Sequence, residues 1–181
     1  GYLSQFISNQ RLAHKKKYLG ALFDFPEGTM AVGRLDEPSE GLLLLTTDGI
    51  FSEKIRSKTI EKEYWVQLDG VINDKAIDEM RSGIHITVEG KKHLSVPSAI
   101  KAMSPPKSLQ ERSKPIRDER HGPTSWLSIT LTEGKFRQIR KMTAKAGFPT
   151  LRLIRVRIGN LRLGELKAGD CREISSDVIG V

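Results

Sequence analysis

Gly33-Arg34-Leu35-Asp36-Glu37-Pro38-Ser39-Glu40-Gly41, running straight into Leu42-Leu43-Leu44-Leu45-Thr46-Thr47-Asp48-Gly49, is the stretch on which the reading of this chain turns. The apolar pattern over residues 30–35 predicts a strand that delivers a carboxylate at its end. Pro38 and Gly41 predict a short loop. The four leucines after it predict a second strand returning into the core. Asp36 would then stand at the lip of a buried sheet, where a single reactive carboxylate is both rigid and reachable. The same residues also make an ordinary polar hairpin loop, because Asp, Pro, Ser and Gly are common turn residues. On the loop alone the hairpin reading is the stronger, and the rest of the chain has to overturn it.

The charge distribution adds the first outside evidence. The net charge is +8 over 181 residues. Nine basic residues and no acid lie between Gly134 and Gly164: Lys135, Arg137, Arg140, Lys141, Lys145, Arg152, Arg155, Arg157 and Arg162. Without them the remaining 21 basic and 22 acidic residues nearly cancel. The positive excess therefore belongs to one segment, which predicts a local cationic surface and a polyanionic partner such as a nucleic acid backbone. A solvated helix face with exposed strand positions is the plainer alternative.

Composition excludes several classes. With 38% hydrophobic and 29% charged residues the chain reads as a globular domain with a real core. No apolar run approaches the roughly 18 residues of a membrane span, and no signal segment opens the chain. The single cysteine, Cys171, forms no internal disulfide and suits a reducing cytoplasm. His14, His85, His93 and His121 lack ligand spacing, so no metal site is expected.

Along the chain, residues 9–17 are polar and basic and 18–25 apolar, which suggests a loop and then a short helix. A short helix is predicted over 50–57 and a strand over 63–68. Asn73 is a candidate N-cap for a helix over 74–81, with Ile77 and Met80 on one face and Gly83 as its stop. Strands are predicted over 84–88 and 94–103. Residues 104–124 hold four of the eight prolines and read as an irregular binding or mobile loop. A half-buried strand over 126–132, a helix over 136–146 that uses Phe136, Ile139 and Met142, and a strand with a basic outer edge over 151–158 complete the pattern. Helices and strands without regular βαβ alternation predict an α+β fold with a mixed, mostly antiparallel central sheet, flanking helices and a cleft.

Three residues in separate segments are candidates for a site: Asp36, Tyr64 within Glu61-Lys62-Glu63-Tyr64, and Arg140 within Arg137-Gln138-Ile139-Arg140-Lys141-Met142. Each has a structural alternative, Tyr64 as a strand aromatic and Arg140 as one phosphate-facing cation among many. The three segments, in this order, resemble the motifs of the pseudouridine synthases that act on ribosomal RNA. The block from Gly33 to Gly49 resembles their catalytic motif, Lys62-Glu63-Tyr64 their Lys-x-Tyr motif, and Glu133-Gly134-Lys135-Phe136-Arg137-Gln138-Ile139-Arg140-Lys141-Met142 their third motif. Pro115-Ile116-Arg117, Pro123-Thr124-Ser125-Trp126-Leu127 and the run from Gly147 to Arg155 resemble the E group of the ribosomal large subunit pseudouridine synthases.

The resemblance implies the pseudouridine synthase fold and isomerisation of uridine to pseudouridine in large-subunit (23S) ribosomal RNA, free or in an assembling subunit. It implies Asp36 acting on the ribose, Arg140 pairing with it, and Tyr64 stacking on the base and serving as a candidate to take the C5 proton. Arg34, Lys62, Arg137, Lys141, Arg155 and Arg157 would hold the substrate RNA. It also implies no metal or organic cofactor, a cytoplasmic monomer, and a single catalytic domain over 1–181. Relatives usually open with a Lys-Pro strand before a segment like Gly1-Tyr2-Leu3-Ser4-Gln5-Phe6, which is missing here, as is the small S4-type domain. Ser39 stands where relatives often have Thr. Two other readings stay open at this point: a non-catalytic RNA-binding or ribosome-assembly factor, and a glycosidase using Asp36 with Glu40.

Overall fold

The strongest alternation in the chain builds its centre. In the computed structural model, residues 1–7, 16–57, 59–107, 109–112, 115–116 and 119–180 are described. The strands in chain order are β1 (Tyr2–Leu3), β2 (Lys17–Tyr18), β3 (Met30–Ala31), β4 (Glu40–Gly41), β5 (Leu45–Thr46), β6 (Lys62–Asp69), β7 (Ile84–Val88), β8 (Lys91–Ser95), β9 (Ala99–Met103), β10 (Thr124–Leu131), β11 (Thr150–Ile158) and β12 (Leu161–Arg162). The helices are α1 (Gly49–Arg56), α2 (Asp74–Ser82) and α3 (Gln138–Lys145). The six-stranded central sheet runs β12-β11-β6-β10-β9, with β4 added beside β11. Only the β4 pairing is parallel, so the sheet is mixed and mostly antiparallel, in an α+β fold.

Strand periodicity sends alternate residues to opposite faces. Val66, Leu68, Leu127, Ile129, Ile100 and Leu153 face α2, α3 and the β7–β8 hairpin, and with Ile77, Met80, Ile139 and Met142 they form the main core. Burying each such side chain stabilises the fold by roughly 1.5–3 kcal/mol. Trp126, Ile154 and Val156 face the other way, covered by Trp65, Met103, Leu109 and Leu163. Residues 126–131 are therefore buried on both faces, not half-buried as the alternation suggests, because β10 lies between two strands and both sheet faces are covered.

The helix ends follow their capping residues. Asn73 Oδ1 accepts from the Ala76 amide at 2.9 Å, and Gly83 ends α2 at φ 104°. Asp48 Oδ1 accepts from the Ile50 and Phe51 amides at 2.8 and 3.1 Å and so starts α1.

Six further expectations need correction. The strand expected from the leucine run pairs only through Leu45–Thr46, against β3, and residues 42–44 are outside any strand. The strand expected over 30–35 pairs only through Met30–Ala31, since Gly33 at φ 69° turns the chain away. Asp36 therefore lies on a longer, irregular segment. The strand expected over 94–103 is two: β8 pairs with β7, Pro97 interrupts with no N–H to donate, and β9 pairs with β10. The helix expected over 136–146 begins at Gln138, and Phe136 is 58% exposed in the preceding turn. The apolar stretch 18–25 forms one 3-10 turn, Leu19–Ala21, where a short helix is expected. The basic outer edge expected for β11 does not exist as such: Arg155 is only 6% exposed, and Arg152 and Arg157 meet carboxylates from distant segments. Of the expected loop before residue 18, residues 9–15 lie outside the described residues. The described residues of 104–124 are irregular apart from the 3-10 turn Glu119–His121 and the first residue of β10.

Candidate active site

The segment carrying Asp36 has almost no ladder of its own, so its shape depends on what grips it. At its entry the Ser4 hydroxyl accepts from the Leu35 amide at 2.9 Å and donates to the Leu35 carbonyl at 3.0 Å. Within it the Ser39 amide closes a turn on the Asp36 carbonyl at 2.8 Å. At its exit Leu42 and Leu44 enter a core with Val32, Ile55, Ile158 and Ile179, backed by Phe51 of α1. The run of leucines is thus a rigid backing. Its buried members alternate, as a strand-like path requires.

Gly41 fixes how closely this exit approaches the sheet. A Cβ at this position would fall 2.2 Å from the Arg155 carbonyl oxygen, and the backbone stands at φ 97°. Only glycine permits that approach. One residue on, the Leu42 amide donates to the Arg155 carbonyl at 2.9 Å, and Arg155 Nε donates to the Leu42 carbonyl at 2.7 Å.

Helix α3 supplies the charges opposite. Arg137 adopts a left-handed conformation at φ 53°, sparsely populated by residues with a side chain. A buried network below holds that turn: Gln138 Nε2 donates to Ser95 Oγ at 2.5 Å and to Glu133 Oε1 at 2.6 Å, and Gln138 Oε1 accepts from the Lys135 amide at 3.0 Å. Asp36 Oδ2 then lies 3.5 Å from Arg137 Nη1 and 3.9 Å from Arg140 Nε, with its side chain 23% exposed. Arg140 is further tied by Nη1 to the Thr150 carbonyl at 3.4 Å and by Nη2 to Ser39 Oγ at 3.3 Å. Burial first, then the neighbouring Arg137, pulls the Arg140 guanidinium below its ordinary pKa, while Asp36 acts in the opposite sense.

Tyr64 stands on β6, on the sheet face that α3 covers, half-buried against the main core and opposite Arg155 in the ladder. Among the described residues no hydrogen bond joins it to Asp36, Arg137 or Arg140. Lys62 is two residues before it on the same face. Burial first, and then nearby Arg155, lowers its ammonium to about 8. Arg34 is exposed. Lys141 Nζ donates to the Thr87 carbonyl at 2.8 Å and lies 5.2 Å from the Phe136 ring centre. Arg157 donates to Glu61 at 2.9 Å and Glu63 at 3.1 Å. Burial alone would raise the Glu63 carboxyl, but the hydrogen bonds from Ser128 and Arg157 outweigh it and hold it below its ordinary value.

A sequence model of the RNA pseudouridylate synthase family matches residues 1–145. The chain belongs to this family. Among curated relatives, the protein named ribosomal large subunit pseudouridine synthase E of Vibrio parahaemolyticus serotype O3:K6 is 42% identical over 147 residues, covering 80% of this chain and 59% of the relative. The protein of the same name from Xanthomonas axonopodis pv. citri is 39% identical over 168 residues, covering 92% of this chain and 85% of the relative. The chain thus spans well under two thirds of the Vibrio relative's length and most of the Xanthomonas one. A solved pseudouridylate synthase structure superposes with a TM-score of 0.70 at 27% identity, over 91% of this chain and 64% of that one.

Two contacts around the Asp36 segment are not legible in the sequence. Arg112, from the irregular segment, brings Nε within 3.0 Å of Glu40 Oε1 and donates from Nη2 to the Pro38 carbonyl at 3.2 Å. Ser4 grips Leu35 across 31 residues of chain. Neither belongs to a periodic pattern. The one signal toward Arg112 was the length of the irregular segment, which by itself suggests function.

Proposed function

We propose that this chain isomerises uridine to pseudouridine in large-subunit (23S) ribosomal RNA, with Asp36 as the group that acts on the ribose. The observation that carries the reading is the Asp36 carboxylate facing Arg137 and Arg140 at 3.5 and 3.9 Å, on a segment backed by buried leucines. Family membership and the names of the relatives support the substrate class. The N1–C1′ bond breaks, the base turns, and a C5–C1′ bond forms; C5 then loses its proton and N1 gains one, so the product is an isomer. Asp36 starts this by attack on C1′ or by removing the neighbouring ribose proton. Both routes need an ionised, well-aimed carboxylate. Two adjacent guanidiniums limit its directions.

Tyr64 offers an aromatic face to the detached uracil. Stacking tolerates rotation in the ring plane, so the base stays held while it turns. The target nucleotide leaves its stack to reach Asp36. The exposed Arg34 and Arg137, with Lys141 one turn after Arg137 on α3, hold the RNA backbone, which positions without specifying. Lys62 lies next to Tyr64 and contributes charge near the base. Arg155 and Arg157 act from within, Arg155 on Leu42 and Arg157 on Glu61 and Glu63. The glycosidase alternative needs a second working carboxylate, and Glu40 is engaged by Arg112 and Arg152.

The test is tritium release from an unmodified 23S ribosomal RNA transcript labelled at uridine C5. Wild type is expected to release tritium and Asp36→Asn to release none, with RNA binding retained by both. RNA binding without release by wild type would make the protein a non-catalytic RNA-binding factor. Release unchanged in Asp36→Asn would remove Asp36 from the chemistry, and free uracil as product would favour the glycosidase.

A further inference from the structure

Glu40 has no role in the reaction proposed above, yet two arginines hold it four residues from Asp36. Arg152 grips it bidentately, Nε to Oε1 at 3.0 Å and Nη2 to Oε2 at 2.8 Å. Arg112 adds a third contact, Nε to Oε1 at 3.0 Å. The side chains are 29% (Glu40), 12% (Arg152) and 21% (Arg112) exposed, so water competes only partly for these charges. Planar two-point contacts of this kind fix direction as well as distance.

The cluster also reaches the backbone on both sides. Arg112 Nη2 donates to the Pro38 carbonyl at 3.2 Å, and Arg152 Nη2 donates to the Gln110 carbonyl at 2.8 Å. Leu109, at the start of the same short strap, packs with Trp126, Ile154 and Val156 on the far face of the sheet. The strap is therefore anchored on the sheet by Leu109 and on the Asp36 segment by Arg112. Between Asp36 and Gly41 the chain has no ladder until Glu40 meets Ile154. Its hold comes from side chains. Arg140 takes Ser39, Arg112 takes Pro38, and Arg112 with Arg152 takes Glu40.

We propose that Glu40, clasped between Arg112 and Arg152, is a positioning residue that aims Asp36, and that the strap bearing Arg112 is part of the active-site assembly. The proposal rests on the isomerase reading. A displaced catalytic group loses rate steeply, about 100-fold for a shift near 1 Å. Removing a clasp should therefore lower turnover before it lowers binding.

The experiment compares wild type, Glu40→Gln, Arg112→Met and the double variant on an unmodified 23S ribosomal RNA transcript tritiated at uridine C5. It measures kcat at saturating RNA, the RNA dissociation constant and the melting temperature. Each single variant is expected to lose about 10–100-fold in kcat, with RNA affinity and melting temperature close to wild type. The double variant is expected to be no slower than the slower single, because both remove one unit. Unchanged kcat overturns the proposal. So does a loss that follows RNA affinity, which would make Arg112 an RNA contact, or one that follows melting temperature, which would make the cluster merely structural. Absence of product from wild type overturns the isomerase reading and this proposal with it. Activity in wild type and variants alike overturns this proposal alone.

Discussion

The central sheet and the Asp36 segment are held by opposite means. β6 and β10 pair over eight consecutive positions in one unbroken register, and their inward side chains fill the main core. Residues 32–39 make no ladder beyond one bond, from the Val32 amide to the Leu44 carbonyl at 2.9 Å. The sheet is specified by periodicity and by burial, which is non-directional and tolerant. The segment is specified by directional contacts to single atoms, from Ser4, Arg112, Arg137 and Arg140. A protein built this way can lose much stability without losing aim, or lose aim at little cost in stability.

That contrast can be broken at either side. The largest effect is expected from Leu127→Ala, at a fully buried core position. It should cost about 2–5 kcal/mol of unfolding free energy in urea, while turnover per folded molecule stays near wild type. A parallel collapse of turnover would mean the sheet and the segment are one cooperative unit.

Lys62, at the start of β6, gives the next effect. Its folded pKa of about 8 is below the ordinary 10.5, so its charge opposes folding in full below pH 8, and the penalty is relieved as pH rises toward 10.5. Lys62→Met should therefore unfold at higher urea than wild type at pH 7, by less than the core truncation lowers it. The gain should shrink above pH 8 and vanish above pH 10.5. A gain independent of pH would assign the effect to packing.

The smallest effect is expected from Asp48→Ala. This removes the cap of α1, whose Phe51 and Ile55 back the leucine run. The expected loss is about 1 kcal/mol, with tritium release little altered. A large drop in release would show that the backing itself, and not the directional contacts, sets the aim of Asp36.

The same contrast decides what could be read in advance. α2 with Asn73 and Gly83, β6, β7 and Ile139 and Met142 of α3 follow from periodicity and end signals, which are local. Asp36 and Arg140 emerge from motif resemblance, and the fold brings their charged groups to 3.9 Å. What stayed hidden is long-range. The partners of Arg152 and Arg157 lie 112 and up to 96 residues away, so a run of nine cations without an interleaved acid reads as surface although Glu40, Glu61 and Glu63 answer part of it. Phe136 has the spacing of a core residue, but the left-handed turn at Arg137 comes between it and α3. Arg112 sits in a stretch with no period at all.

The close approach of Gly41 to Arg155 has a consequence for the order of events at the ribosome. Synthesis runs from the N-terminus at about 5–20 residues per second, so Asp36 exists for on the order of ten seconds before residue 155 is made. Until then the Leu42 backbone has neither of its two bonds to Arg155. A chain stopped short of β11 would carry the whole Asp36 motif without Arg152 to clasp Glu40 or Arg155 to pin Leu42.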